Sequence, residues 1–118
     1  MIFEEVYNLF MVYSGLSGAD ASRYSFFSTN AINYLQGELI NPEKEEENGW
    51  QLNVAASALA YYNYCLAMNA SGGVSSFKAG DITVNNSNNL ESAKEMWMLE
   101  RAKIATLIKD NSFSFKKV

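Results

Sequence analysis

The stretch that decides the fold is WQLNVAASALAYYNYCLAMN, residues 50–69. Apolar side chains recur in it every three or four positions, which is the spacing of a helix face. They form two stripes rather than one, and a helix that is apolar on nearly all sides lies at the centre of a bundle. Alanines at 55, 56, 58, 60 and 67 allow neighbouring helices to approach closely, because small side chains shorten the distance between helix axes. We therefore expect a central helix over about residues 50–69.

Three further helical segments surround this stretch. Residues 2–13 show helical spacing and end at Gly15, while a second segment is capped by Ser17 or Asp20 and ends before Pro42. A fourth segment runs from about residue 90 to residue 109. The sequence thus predicts a mainly α fold, a four-helix bundle-like domain that covers residues 1–118. We expect Tyr61, Leu66 and Trp97 to hold the bundle together.

Two short β elements are expected beside the helices. Ile82 and Val84 alternate with polar residues after Gly80-Asp81, a pattern that predicts a β-hairpin extension over about 74–86. Phe113 and Phe115 also alternate with polar residues, which predicts a short strand in the C-terminal tail, residues 111–118.

Composition narrows the possible functions. The chain has 118 residues, no histidine and one cysteine, so it lacks the commonest general base and metal ligand and cannot form an internal disulfide. The acidic run 43–47 is a possible divalent-cation site, but a solvated helix start is the favoured interpretation. Cys65 lies on an apolar helix without a histidine to activate it, so we expect it to be buried and inert. Two of the three tyrosines at 61, 62 and 64 are expected to face the core or neighbouring helices, so packing in the core or an interface is favoured over stacking on a ligand or a base. No cofactor, metal or catalytic residue is predicted, and the chain is expected not to be an enzyme.

Charge is distributed unevenly along the chain. Residues 1–77 hold 8 acidic and 2 basic side chains, whereas residues 78–118 hold 5 acidic and 7 basic ones, and the total is −4. The two halves can attract each other within one molecule or between copies that associate head to tail.

The acidic net charge disfavours sequence-specific binding to nucleic acid. Without an apolar run of roughly 18 residues or a basic leader, no membrane association is expected. A small bundle is expected to leave some apolar surface exposed, because it is unlikely to cover every one of its large aromatic residues. Those considered are Phe10, Tyr13, Phe26, Phe27, Trp50, Trp97, Phe113 and Phe115.

A family resemblance rests on three pieces of the C-terminal half. AASALAYYNYCL at 55–66, SFKAGDITV at 76–84 and the final amphipathic helix with Phe113-Ser114-Phe115 together resemble small head-tail connector proteins of tailed phages and prophages. The resemblance implies a structural subunit that assembles as a ring on the portal and contacts other head or tail proteins. It also implies location in the bacterial cytoplasm during assembly and in the virion afterwards. In this interpretation five residues dock on a neighbouring subunit: Phe77, Ile82, Val84, Phe113 and Phe115.

Two other functional classes remain open from the sequence. A small helical regulatory or adaptor module would bind one protein partner through its apolar surface. An enzyme with a carboxylate-based site is the third and least favoured class, because spacing alone brings no two carboxylates to one cleft.

Overall fold

The computed structural model of the chain describes residues 1–78 and 80–109, with backbone alone for 70–78 and 80–88. It is mainly helical, as the sequence predicts. Five α-helices and one short 3₁₀ turn follow one another in these residues: α1 Phe3–Ser14, α2 Gly18–Arg23, α3 Phe26–Glu38, the 3₁₀ turn Pro42–Lys44, α4 Gly49–Lys78 and α5 Gly80–Lys103.

The first helix matches its predicted bounds closely. Val6 and Phe10, one turn apart, are fully buried, and this spacing turns one face of α1 towards the core. The helix ends where Gly15 adopts the left-handed conformation with φ 72° and donates its N–H to the carbonyl of Met11. Glycine takes this backbone angle without the steric cost that a Cβ atom brings.

The predicted second helix is in fact two helices. Ser17 caps α2 by accepting a hydrogen bond from the N–H of Asp20 at 3.3 Å, but the helix stops at Arg23. Tyr24 leaves helical geometry, with φ −111° and ψ 16°. Its ring instead lies 5.2 Å, centroid to centroid, from that of Tyr64. The aromatic contact helps to account for the break, which helical spacing alone does not reveal.

The predicted central helix is confirmed, and it is longer than expected. α4 runs from Gly49 to Lys78, and α1, α3 and α5 all pack against it. Every residue from 55 to 61 is buried, so the alanine-rich stretch is surrounded by its neighbours. Tyr61 is buried and Trp97 half-buried, as expected of residues that hold the bundle, but Leu66 is exposed. The apolar stripe of α4 that contains Leu66 is therefore not covered along its whole length.

The β-hairpin predicted over 74–86 is wrong. Residues 74–78 continue α4, and residues 80–86 form the start of α5, which therefore begins ten residues earlier than predicted. Two alternating apolar residues, Ile82 and Val84, are a weak strand signal, and an isolated two-stranded hairpin is barely stable in water. A helix satisfies its backbone hydrogen bonds within one segment and needs no partner strand.

The predicted docking residues fall where side chains are not described. Phe77 lies in α4, and Ile82 and Val84 lie in α5, with their side chains outside the described residues. The whole predicted C-terminal strand, with Phe113 and Phe115, is also outside them. The role of these five residues at an interface stays a prediction.

An antiparallel β-bridge lies near the end of the described residues. α5 ends at Lys103, earlier than predicted, and Leu39 pairs with Ile108 just beyond the ends of α3 and α5. The N–H of Ile40 donates to the carbonyl of Leu107 at 3.0 Å. Within residues 1–78 and 80–109, this bridge is the one β pairing. It ties the third helix to the last stretch of described chain.

Candidate functional site

A cleft lies where the N-terminal residues meet the loop before α4. We call it the acidic cleft, because three glutamates contribute to its walls. It has a volume of about 490 Å³ and is lined by eight residues: Met1, Ile2, Pro42, Glu43, Glu45, Glu46, Gly49 and Asn53.

A buried amide forms one wall of the acidic cleft. Asn53, on the first turns of α4, is only 2% exposed. Its Oδ1 accepts a hydrogen bond from the N–H of Ile2 at 2.9 Å, and its Nδ2 donates to a carboxylate oxygen of Glu5 at 2.6 Å. Both functions of the amide are thus satisfied, which a buried polar group requires. Asn53 therefore fixes the start of α1 against α4 and sets the width of the cleft.

The acidic run 43–47 forms the other wall of the cleft. Its exposure to solvent agrees largely with the favoured interpretation of this run as a solvated helix start. Glu43, Glu46 and Glu47 are exposed to solvent, whereas Glu45 is half-buried and pairs with the α-ammonium of Met1. The side-chain amide of Gln36 also donates to Glu45, at 3.4 Å. Among the described residues, no group of three histidine, cysteine or acidic side chains is placed to hold a metal ion. The divalent-cation alternative gains no support from this geometry.

Exposed apolar side chains lie next to this cleft. Trp50 follows Gly49 at the start of α4 and is 63% exposed, and Ile2, at the cleft itself, is 54% exposed. Tryptophan is among the residues that proteins cover most completely on average. Ten large apolar side chains among the described residues are exposed: Ile2, Phe3, Val12, Phe26, Tyr34, Ile40, Trp50, Leu66, Met98 and Leu99.

The sequence anticipated part of this surface. As expected, the bundle does not cover every large aromatic residue, since Phe26 and Trp50 are exposed while Phe10 is fully buried. The contribution of Ile2 and Asn53 to a cleft with the acidic run was missed. Ile2 is more than forty positions from both the glutamates and Asn53, and no local pattern signals such a contact.

A cluster of aromatic rings joins three parts of the fold around Tyr64. The ring of Phe10 from α1 meets it edge-on at 5.6 Å and 87°, and Phe27 from α3 meets it at 6.0 Å and 84°. Such edge-to-face contacts are a favourable geometry for aromatic pairs. Tyr61 lies on the same helix, with its ring 6.5 Å away. The prediction that the tyrosines of this stretch pack in the core is confirmed for Tyr61, which is buried, while Tyr62 and Tyr64 are partly buried.

Cys65 is buried beside this cluster. Burial raises the pKa of its thiol, and the side-chain hydrogen bond with Tyr61 opposes this shift. Burial, followed by the neighbouring Cys65, also raises the pKa of the Tyr61 phenol. Both groups are therefore held in their neutral forms near neutral pH, and a neutral thiol is a poor nucleophile. The prediction that Cys65 is buried is confirmed. A small cavity of about 130 Å³ adjoins both residues.

Comparisons with known proteins leave the site to be interpreted from its own chemistry. No family model, curated protein or solved structure matches this chain. Among the described residues, no helix combines the length and hydropathy needed to span a membrane. The acidic cleft offers carboxylates beside apolar groups, a combination that recognises basic and aromatic side chains.

Proposed function

We propose that this chain is a non-enzymatic structural subunit that works by assembling with copies of itself. In its specific form the proposal is a ring-forming connector that joins phage head to tail on the portal, as the sequence resemblance implies. Such a subunit would act in the bacterial cytoplasm during assembly and remain in the virion. It would need protein partners and no cofactor.

The exposure of Trp50 is the observation that carries this proposal. Its side chain is 63% exposed, one position after the cleft residue Gly49, and Ile2 in the cleft is 54% exposed. Burying a large apolar side chain is worth roughly 1.5–3 kcal/mol. Single exposed apolar residues are ordinary, but a tryptophan and an isoleucine beside one cleft are typical of an interaction surface. A second protein molecule that covers them would gain this free energy.

The charge of the chain is compatible with a conduit for DNA. Its net charge is −4, so its field on average repels phosphates rather than binding them. A ring through which DNA passes works better if it does not hold the nucleic acid. The negative net charge therefore favours a connector over a nucleic-acid-binding protein.

Sedimentation velocity over a wide range of concentration tests the proposal. Wild-type protein is expected to form a discrete higher-order species, and native mass spectrometry then gives its number of subunits. Replacing Trp50 with glutamine should weaken association by about tenfold, the equivalent of losing about 1.4 kcal/mol of buried contact.

Val12→Gln serves as the matched control, because Val12 is 73% exposed in the last turn of α1, at the opposite end of that helix from the cleft residue Ile2. It should associate like the wild type. A wild-type chain that stays monomeric at every concentration would contradict the connector proposal. The adaptor module with a single protein partner would then be the better interpretation.

A further inference from the structure

We propose that the acidic cleft of one copy receives the C-terminal segment, residues 110–118, of a neighbouring copy. This inference rests on the proposed function, because it names the contact through which copies associate. It assigns both sides of the contact, the cleft as receptor and the tail, with its phenylalanine pair and its lysine pair, as ligand.

The acidic cleft offers two kinds of group to a ligand. Glu43 and Glu46 line it with exposed carboxylates, and Glu45 is engaged by the α-ammonium of Met1. Ile2 and Pro42 supply apolar surface. A ligand that fits therefore carries positive charge to meet the free carboxylates and apolar side chains to cover the rest.

The C-terminal segment has this chemistry. Its sequence is DNSFSFKKV, with Phe113 and Phe115 followed directly by Lys116 and Lys117. Two lysines match the two exposed carboxylates in number and oppose them in sign. The phenylalanines match the apolar surface at Ile2, Pro42 and the neighbouring Trp50. Charge complementarity of this kind sets both the partner and the register of an interface.

The last described residues run antiparallel to the chain at the end of α3. The N–H of Ile40 bonds to Leu107, and the N–H of Lys109 bonds to the carbonyl of Glu38 at 2.7 Å. The ammonium of Lys109 reaches the carbonyl of Gly37. From residue 107 to residue 109, the chain therefore runs antiparallel to residues 40 to 37. It heads away from Pro42, whereas Gln36, next to Gly37, contacts Glu45 of the acidic cleft. Mixing of variants therefore decides whether the tail docks on a neighbouring copy or in its own molecule.

Charge reversal with mixing tests the contact and its intermolecular character. One variant reverses the cleft, Glu43→Lys with Glu46→Lys, and the other reverses the tail, Lys116→Glu with Lys117→Glu. Each alone should associate about tenfold more weakly than wild type, because like charges then face each other. An equimolar mixture should recover association, since every contact between the two different variants again pairs opposite charges.

A matched control changes charge equally outside the cleft. Glu47→Lys with Glu91→Lys alters two exposed residues that do not line it, and this variant should associate like the wild type. Variants that associate normally, or a mixture that recovers nothing, would overturn the proposed docking. In either case a wild type that still assembles leaves the proposed function standing.

A peptide experiment separates the two proposals when the wild type does not assemble. The probe is fluorescein-labelled DNSFSFKKV, and the receptor is the full chain with the reversed tail, whose own tail cannot compete for the cleft. Fluorescence anisotropy should show saturable binding, reduced about tenfold when the cleft is also reversed and unchanged by the control substitutions. Absence of binding, or equal binding to the reversed cleft, would contradict the inference whatever the oligomeric state.

Discussion

At the scale of single residues, Asn53 is the polar side chain on which the shape of the acidic cleft depends. It is 2% exposed and bonds to both Ile2 and Glu5. Asn53→Ala should lower the free energy of unfolding by about 1–3 kcal/mol, because the amide of Ile2 loses its acceptor. Urea denaturation followed by circular dichroism measures this. Asn33→Ala, at an exposed position of α3, should change it by no more than about 0.5 kcal/mol, and equal losses would contradict the role given to Asn53.

The phenol of Tyr61 makes the free energy of unfolding depend on pH in the alkaline range. Burial raises the pKa of its phenol in the folded protein above the unfolded value of about 10. Above this pH the unfolded chain releases the proton while the folded chain keeps it, so the free energy of unfolding falls as pH rises. Below about pH 10 the contribution is fully present. Tyr61→Phe should lose less stability between about pH 9 and 11 than wild type, and identical losses would show that Tyr61 is not responsible.

At the scale of elements, two glycines should respond in opposite ways to the same substitution. A Cβ atom at Gly15 or Gly37 meets nothing within 4 Å, so backbone conformation alone decides the effect. Gly37 lies in α3 with ordinary helical angles, and Gly37→Ala should raise the free energy of unfolding by about 0.4–1 kcal/mol. Gly15→Ala forces alanine to φ 72° and should lower it by about 1–2 kcal/mol. Thermal unfolding reports both, and shifts of the same sign would be inconsistent with this account.

The secondary-structure elements differ in how well the sequence predicts them. α1 and the core of α4 follow from apolar spacing, which buries Val6 and Phe10 one turn apart in α1 and every residue from 55 to 61 in α4. The break at Tyr24 depends on ring contacts with a residue forty positions away, and the hairpin error came from two alternating residues, Ile82 and Val84. Half of the acidic cleft, the glutamate run 43–47, stands out in the sequence. Its other half is assembled by tertiary contacts that leave no local pattern.

At the scale of the whole molecule, the bridge between Leu39 and Ile108 links the end of α3 to the chain beyond α5. Ile108 is 6% exposed and belongs to the core. Ile108→Ala should lower the free energy of unfolding by about 2–5 kcal/mol, since it leaves a cavity where the two ends meet. Ile40→Ala, one residue from the bridge and 53% exposed, provides the comparison and should stay within about 0.5 kcal/mol of wild type. Chemical denaturation distinguishes the two, and similar losses would mean that the bridge is not a packed junction.

The central position of α4 affects how the molecule unfolds. α1, α3 and α5 each rest on this one helix, and α1 and α3 also touch each other. If one of these helices unfolds, it exposes the alanine-rich face of α4 and removes packing contacts on which the remaining helices depend. Unfolding should accordingly be all-or-none, with helix content and tryptophan emission from Trp50 on α4 and Trp97 on α5 lost in a single coincident transition.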